Sequence, residues 1–255
     1  MDGIIIVNKP QGWTSFDVVA KIRNLTKTRK VGHSGTLDPM ATGVLPVFLG
    51  AATKYIQYFL NGDKGYEAEM VLGVKTDTGD AEGKIQTSNI QLQNNSQLSI
   101  SKQQIEEIFE KYKGEIMQTP PMYSAVKVNG ERLYKLARQG IEVKREPRKI
   151  TIYELKFLDL ISHAQPLSPQ EGIARVAFSV LCSKGTYVRQ LVVDIGDELG
   201  CGAHLSKLQR TYAHPFHISQ ALDMETIITM GKAGILSSVV IDHAELLLEM
   251  GKAAA

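Results

Sequence analysis

The chain has 255 residues, 43% hydrophobic and 22% charged, with a formal net charge of +2. That is enough apolar material for one large domain or two small ones. The longest apolar runs, residues 4–7 and the Gly/Pro-broken stretch 41–52, are too short for a membrane span or a signal-peptide core, so a cytoplasmic protein is expected. Cys182 and Cys201 have no second CxxC or nearby His to complete a zinc set. They are expected as buried free thiols, with neither a disulfide nor a structural metal.

Residues 4–7 read as a buried strand, and Thr14-x-x-Asp17 as a capping-box start to a helix with Val18, Ile22 and Leu25 on one stripe, ended by Lys27 to Lys30. Residues 32–45 then combine Gly32, Gly35 and Gly43 with Pro39 and one carboxylate, Asp38. The glycines allow φ > 0 and close backbone approach, and Pro39 pushes Asp38 out of the α region, so the segment reads as a structured loop. A loop fixed to a scaffold suits a catalytic group. The alternative is that Asp38 only makes an Asx-turn or caps the next element. Residues 44–49 anchor the loop as a strand or buried segment, residues 51–60 read as helix, and residues 61–65 as a turn.

Residues 66–73 alternate, with Tyr66, Ala68, Met70 and Leu72 on one face. Tyr66 points inward, either as a core tyrosine or as an aromatic lining a site. The Gln/Asn/Ser-rich residues 86–101 read as a mobile loop, followed by a Ser101-x-x-Gln104 box and a helix with Ile105, Ile108, Phe109 and Tyr112 inward, closed by Gly114. Residues 118–124 are rigid and extended, residues 125–128 a short strand turned by Asn129-Gly130, and residues 131–139 a basic helix stopped by Gly140. Residues 150–160 and 173–183 are β-rich around a proline loop at 162–172. Residues 186–199 form a helix stopped by Gly200, with Arg189 in its first turn, where a surface arginine would pair with Asp194 or Glu198. No regular βαβ alternation appears, so an α+β fold with a mixed, mainly antiparallel sheet is expected.

The small net charge hides segregation. From Met122 to Lys149 eight Lys or Arg face three Glu, a net of +5, and Lys21, Arg23, Lys27, Arg29 and Lys30 cluster just before the Asp38 loop. Acid gathers between Asp63 and Glu82 and after Leu222. Such a pattern gives either solvated helix faces or a basic face able to steer phosphate.

The word Gly32-His33-Ser34-Gly35-Thr36-Leu37-Asp38-Pro39-x-Ala41-x-Gly43-Val44-Leu45 resembles the active-site motif of the bacterial tRNA pseudouridine synthases (TruB type) acting on uridine 55 of the TΨC loop. Other words agree in family order. Asn8-Lys9-Pro10-x-Gly12-x-Thr14-Ser15 is similar to the first motif, and Lys64-Gly65-Tyr66 precedes the strand of the active-site tyrosine. Residues 121–127 with 129–134 resemble an RNA-gripping insertion, residues 182–189 the motif of the active-site arginine, and residues 202–208 a later one.

The resemblance implies the pseudouridine-synthase fold with a central RNA-binding cleft, residues 1–222 being catalytic with the insertion at about 118–149. It implies breakage of a uridine N1–C1′ bond and formation of C5–C1′, without metal or redox cofactor. Asp38 would be the nucleophile at C1′ or C6, or a base leading to a glycal-like intermediate. An adjacent Arg189 would keep it ionised. Tyr66 would stack on the uracil and help remove the C5 proton. His33 would take part in flipping the nucleotide, Tyr187 and Leu205 would line the base pocket, and Lys9 with the insertion would hold phosphates and RNA shape. Partners implied are the tRNA T stem-loop only, with no membrane, no obligate protein partner and a monomeric protein.

Residues 223–255 read as short, helical and acidic where many relatives carry a β-rich RNA-binding domain, which is expected to be absent here. Competing readings are a tRNA-binding or folding protein without catalysis, a guide-RNA-dependent relative, and an N-glycoside hydrolase. The hydrolase wants a second carboxylate to activate water, and none is evident in the sequence. The insertion argues against the guide-dependent branch.

Overall fold

The computed structural model describes residues 1–86, 100–128, 130–162, 174–244 and 246. In chain order the strands are β1 (Gly3–Lys9), β2 (Val31–His33), β3 (Thr42–Leu49), β4 (Lys64–Leu72), β5 (Lys75–Thr76), β6 (Ile85–Gln86), β7 (Gly114–Gln118), β8 (Lys127–Val128), β9 (Glu131–Arg132), β10 (Arg148–Ser162), β11 (Ala174–Cys182), β12 (Ala203–Ala213), β13 (Phe216–His217) and β14 (Leu222–Asp223). The α-helices are α1 (Ser15–Thr26), α2 (Ile56–Leu60), α3 (Lys102–Tyr112), α4 (Leu133–Arg138), α5 (Val188–Glu198) and α6 (Met224–Ala233). The chain forms two units, residues 1–66 with 209–255 and residues 67–208, and passes between them along β4 and β12.

In the first unit the hydrogen-bonded order is β14-β1-β3-β12, with β2 beside β3 and β13 beside β12. β1 and β3 are antiparallel from Gly3↔Leu49 to Lys9↔Gly43, while β3 and β12 are parallel at Gln209↔Thr42 and Arg210↔Gly43. Helix α1 starts with the expected capping box, Thr14 accepting from the Asp17 amide and Asp17 from the Thr14 amide, and ends at Lys27 in the left-handed region. Its Val18, Val19 and Ile22 pack with Ile5, Val7, Leu45, Val47 and Leu49 in one core. The opposite face of β1 and β3 packs Ile4, Ile6, Val44 and Phe48 against Phe59 and Phe216. Residues 51–60 divide into a 3-10 turn, Gly50–Tyr55, and α2. Lys64 is buried and donates to the Leu60 carbonyl at 2.9 Å and to that of Gly62, a cationic stop for α2 that sets where β4 begins.

In the second unit the order is β12-β4-β11-β10-β7, and β10 is antiparallel to both β11 and β7. Strand β11 alternates buried and half-buried as a one-sided strand should. Helix α3 has its Ser101/Gln104 capping box and buries Ile105, Ile108 and Phe109, with Phe109 edge-on to Phe178. Strands β7 and β12 are additions to the sequence reading, and β8 with β9 makes the hairpin around Gly130, whose φ is +87°. Cys182 and Cys201 are buried thiols. The expected mobile loop at 86–101 and the proline loop at 162–172 lie largely outside the described residues. Among the described residues no helix is long and apolar enough to cross a membrane.

Candidate active site

Residues 34–41 form neither helix nor strand, and β2 and β3 bracket them. Asp38 is half-buried and stands first in a turn over Pro39, closed by the Ala41 amide donating to the Asp38 carbonyl at 3.1 Å. The backbone makes an ordinary Asp-Pro turn, so the two readings of this residue are compatible.

The first motif holds that turn. The Gly12 amide donates to the Pro39 carbonyl at 2.8 Å, and the buried Ser15 hydroxyl accepts from the Leu37 amide at 2.9 Å and donates to its carbonyl at 3.3 Å. Lys9 is fully buried, its ammonium donating to the carbonyls of Pro10 (2.8 Å), Trp13 (2.6 Å) and Pro39 (3.3 Å). The resemblance assigns Lys9 to phosphate; in this structure the buried ammonium, with three carbonyl acceptors, ties the loop to β1.

Across β3 from Lys9 lies Arg210 of β12, 1% exposed. Its Nε donates to the Val44 carbonyl at 2.7 Å and its Nη2 to the Gly35 carbonyl at 3.0 Å. Gly43 has φ +102°, and a Cβ there would fall 2.2 Å from the Arg210 carbonyl oxygen, so only glycine fits. Gly32 keeps an ordinary φ, and its lack of a side chain makes room for Ile56. His33 is half-buried, and burial first, then the Arg210 charge, holds its imidazole below the ordinary 6.5. Its Nδ1 is buried without a hydrogen-bond partner. Asp38, His33, Tyr66 and Lys9 therefore share the first unit.

Arg189, Tyr187 and Leu205 lie in the second unit. Arg189 is 7% exposed, which corrects the surface-arginine alternative. Its Nη1 lies 3.4 Å from the Asp80 carboxylate and donates to the Thr78 carbonyl, and its Nη2 donates to the Tyr123 carbonyl at 3.0 Å. Asp80 is itself fixed, accepting from the Thr78 hydroxyl at 2.6 Å and the Glu82 amide at 3.1 Å. Arg189 borders a recess of about 550 Å³ that also touches Thr78, Tyr123, Arg145 and Gln190.

Tyr187 caps α5, and the buried Gln118 amide clasps its backbone, accepting from its N–H at 2.8 Å and donating to its carbonyl at 3.1 Å. Leu205 is fully buried, its amide donating to the Gly79 carbonyl and its carbonyl accepting from Ala81, so it acts as core and as a backbone brace for Asp80. In the insertion Lys127, Arg132, Lys135, Arg138, Lys144, Arg148 and Lys149 are exposed.

Residues 23–188 match the model of TruB family pseudouridylate synthase (N-terminal domain), and residues 189–240 that of the tRNA pseudouridylate synthase B C-terminal domain. The chain belongs to the TruB family of pseudouridylate synthases. The curated tRNA pseudouridine synthase B of Geobacillus thermodenitrificans is 44% identical over 99% of this chain and 80% of its own length, and that of Clostridium acetobutylicum 48% identical over 89% and 72%. Among solved structures, a chain of a Cbf5–Nop10–Gar1 complex aligns with TM-score 0.68 at 30% identity, covering 94% of this chain and 60% of that one. The TruB-family fold accounts for the mixed sheets and helices described above.

Sequence reasoning did not single out Asp80, Ser15, Gln118 or Arg210. The signal for Asp80 is the polar turn Thr76-Asp77-Thr78-Gly79-Asp80, where a side chain can fold back on the backbone.

Proposed function

We propose that the chain isomerises uridine to pseudouridine at position 55 in the TΨC loop of tRNA, with Asp38 as the nucleophile. The observation that carries this reading is the turn at Asp38-Pro39, bound by Lys9, Gly12 and Ser15 of the first motif and set in one unit with Tyr66. A carboxylate whose backbone is held by contacts to the first motif needs little reorganisation when the ribose arrives. The relatives' shared name supports tRNA as the substrate.

The uridine is drawn out of the folded T-loop, and its uracil rests against Tyr66, whose ring stacks on the base and whose hydroxyl takes part in removing the C5 proton. Asp38 adds to C1′ or C6, or removes a ribose proton, as the N1–C1′ bond breaks. The uracil turns, C5 joins C1′, and loss of the C5 proton restores the ring. Arg189 is the active-site cation of this scheme, held by Asp80. His33, neutral at pH 7, serves nucleotide displacement as a wedge without charge. The exposed lysines and arginines of residues 122–149 grip the RNA backbone, which makes binding steeply salt-dependent.

The test is to incubate the protein with an unmodified tRNA transcript and map carbodiimide-reactive pseudouridine by primer extension. A single stop assigned to uridine 55 supports the reading. Retention of the tRNA with no conversion would favour a binding module, and free uracil a hydrolase.

A further inference from the structure

The chemistry above leaves one basic cluster unused: Lys21, Arg23, Lys27, Arg29 and Lys30, just before the Asp38 loop. The only acid between Pro10 and Leu37 is Asp17, and its carboxylate is engaged in the α1 capping box, accepting from the Thr14 amide at 2.8 Å and the Thr14 hydroxyl at 2.6 Å. None of the five cations forms an ion pair with a described residue.

Helix α1 sets part of this charge in a row. Phe16, Ala20, Arg23 and Lys27 follow at steps of four, three and four residues and so share one face, about 16 Å long. Val18 and Ile22 lie on the buried side, and Leu25, half a turn around from Phe16, packs against Gly231 of α6. The row is clear of that packing. Phe16 is 67% exposed, and Lys27, Arg29 and Lys30 are exposed.

Both ends of the row adjoin the Asp38 loop. At its start the Ser15 hydroxyl bonds Leu37, and at its end the Lys30 carbonyl accepts from the Gly50 amide at 2.8 Å as the chain enters β2, which carries His33. Lys27 has φ +54°, the only positive φ among the described non-glycine residues, at a helix end where glycine fits without strain. A charged residue kept in that conformation points to a use for its side chain.

We propose that the outer face of α1 and the turn after it form an RNA contact beside the Asp38 site, separate from the basic insertion: Phe16 stacks on an unpaired base, and Lys27, Arg29 and Lys30 neutralise backbone phosphates. Unpaired RNA presents a π-face and a row of phosphates together, which is what this face can meet. The inference rests on the reading of tRNA as substrate.

The test measures retention of an unmodified tRNA transcript from about 50 to about 400 mM KCl, with tritium release from C5 of uridine followed separately. Lys27→Gln, Arg29→Gln and Lys30→Gln together are expected to lower the slope of log Kd against log salt by about two, since each lost phosphate contact removes roughly 0.7–0.9. Equal charge removed elsewhere, by Lys102→Gln, Lys156→Gln and Lys232→Gln, is expected to change the slope by less than about 0.5. Lys27→Gly suits the left-handed φ, so the thermal midpoint is expected to hold or rise while the slope still falls by about 0.7. Phe16→Ala is expected to raise Kd about tenfold at every salt concentration with the slope unchanged, and Phe16→Trp to restore it.

An unchanged slope in the triple variant, an equal fall in its control, or an unchanged Kd in Phe16→Ala overturns the proposal. Self-association lost in Phe16→Ala with tRNA Kd unchanged would mark the face as a contact between copies instead. If the wild-type protein retains no tRNA, the substrate reading fails and this inference with it. If it retains tRNA without releasing tritium, only the catalytic reading fails, and the slopes still decide this one.

Discussion

Two buried arginines, one in each unit, show how the same side chain is used in different ways. Arg189 stands beside a carboxylate, Asp80, and reaches backbone carbonyls from two separate segments, at Thr78 and Tyr123. Among the described residues Arg210 donates to the backbone carbonyls of Val44 and Gly35. The first is a charge with a partner of opposite sign beside it. The second is a framework cation that holds neutral groups in place by geometry.

Asp80→Ala breaks the balanced arrangement most severely. It removes the carboxylate beside the buried Arg189 and is expected to cost about 3 kcal/mol in urea unfolding. The release rate should fall with it, while the first unit's capping box and loop contacts are untouched. An unchanged unfolding midpoint would mean that Asp80 and Arg189 are not coupled.

Lys9→Met tests the neutral-acceptor side of the comparison. The carbonyls of Pro10, Trp13 and Pro39 lose their donor, and an expected loss of about 3 kcal/mol reflects unpaired acceptors rather than lost charge. Weakened tRNA binding in a protein of undiminished stability would restore the phosphate role expected from the sequence. Thr14→Ala removes the α1 cap and should cost about 1 kcal/mol with no change in the bond-making rate, as α1 contributes packing rather than a reactive group.

The smallest effect concerns pH. His33 and His204 are both held below 6.5, mainly by burial, and the Nδ1–H of neutral His204 donates to the Val74 carbonyl at 2.9 Å. The unfolded chain takes up these protons from about pH 6.5 downward while the folded chain resists. Their contribution is therefore complete above 6.5 and is lost as pH falls below it. Asp194, whose carboxyl burial raises, acts in the opposite sense at more acidic pH. The urea midpoint should drop between pH 7.5 and 5.5, and drop less in His33→Asn. An identical drop would remove His33 from the account.

Capping boxes, stop glycines and alternating strands were readable from sequence because each depends on neighbours within four residues. Thr14/Asp17, Ser101/Gln104 and the face of Ala68, Met70 and Leu72 all appear as expected. Asp38, Tyr66 and Arg189 were readable only through whole words that resemble a family. The burial of Lys9 is not legible in the sequence, because only a three-dimensional set of carbonyls buries a lysine. Arg210 and the whole of β12 were missed for the same reason: the strand mixes Lys207, Gln209 and Arg210 with apolar residues, and the Val44 and Gly35 carbonyls that receive Arg210 are more than 160 residues away.

The most direct test of the central claim is single-turnover tritium release by Asp38→Asn, with tRNA retention measured on the same preparation. Release is expected to fall at least about a thousandfold while tRNA Kd stays within about threefold, since the change removes the attacking oxygen's charge and little volume. Release at the wild-type rate from a folded, tRNA-bound Asp38→Asn protein would contradict the assignment of Asp38 as nucleophile.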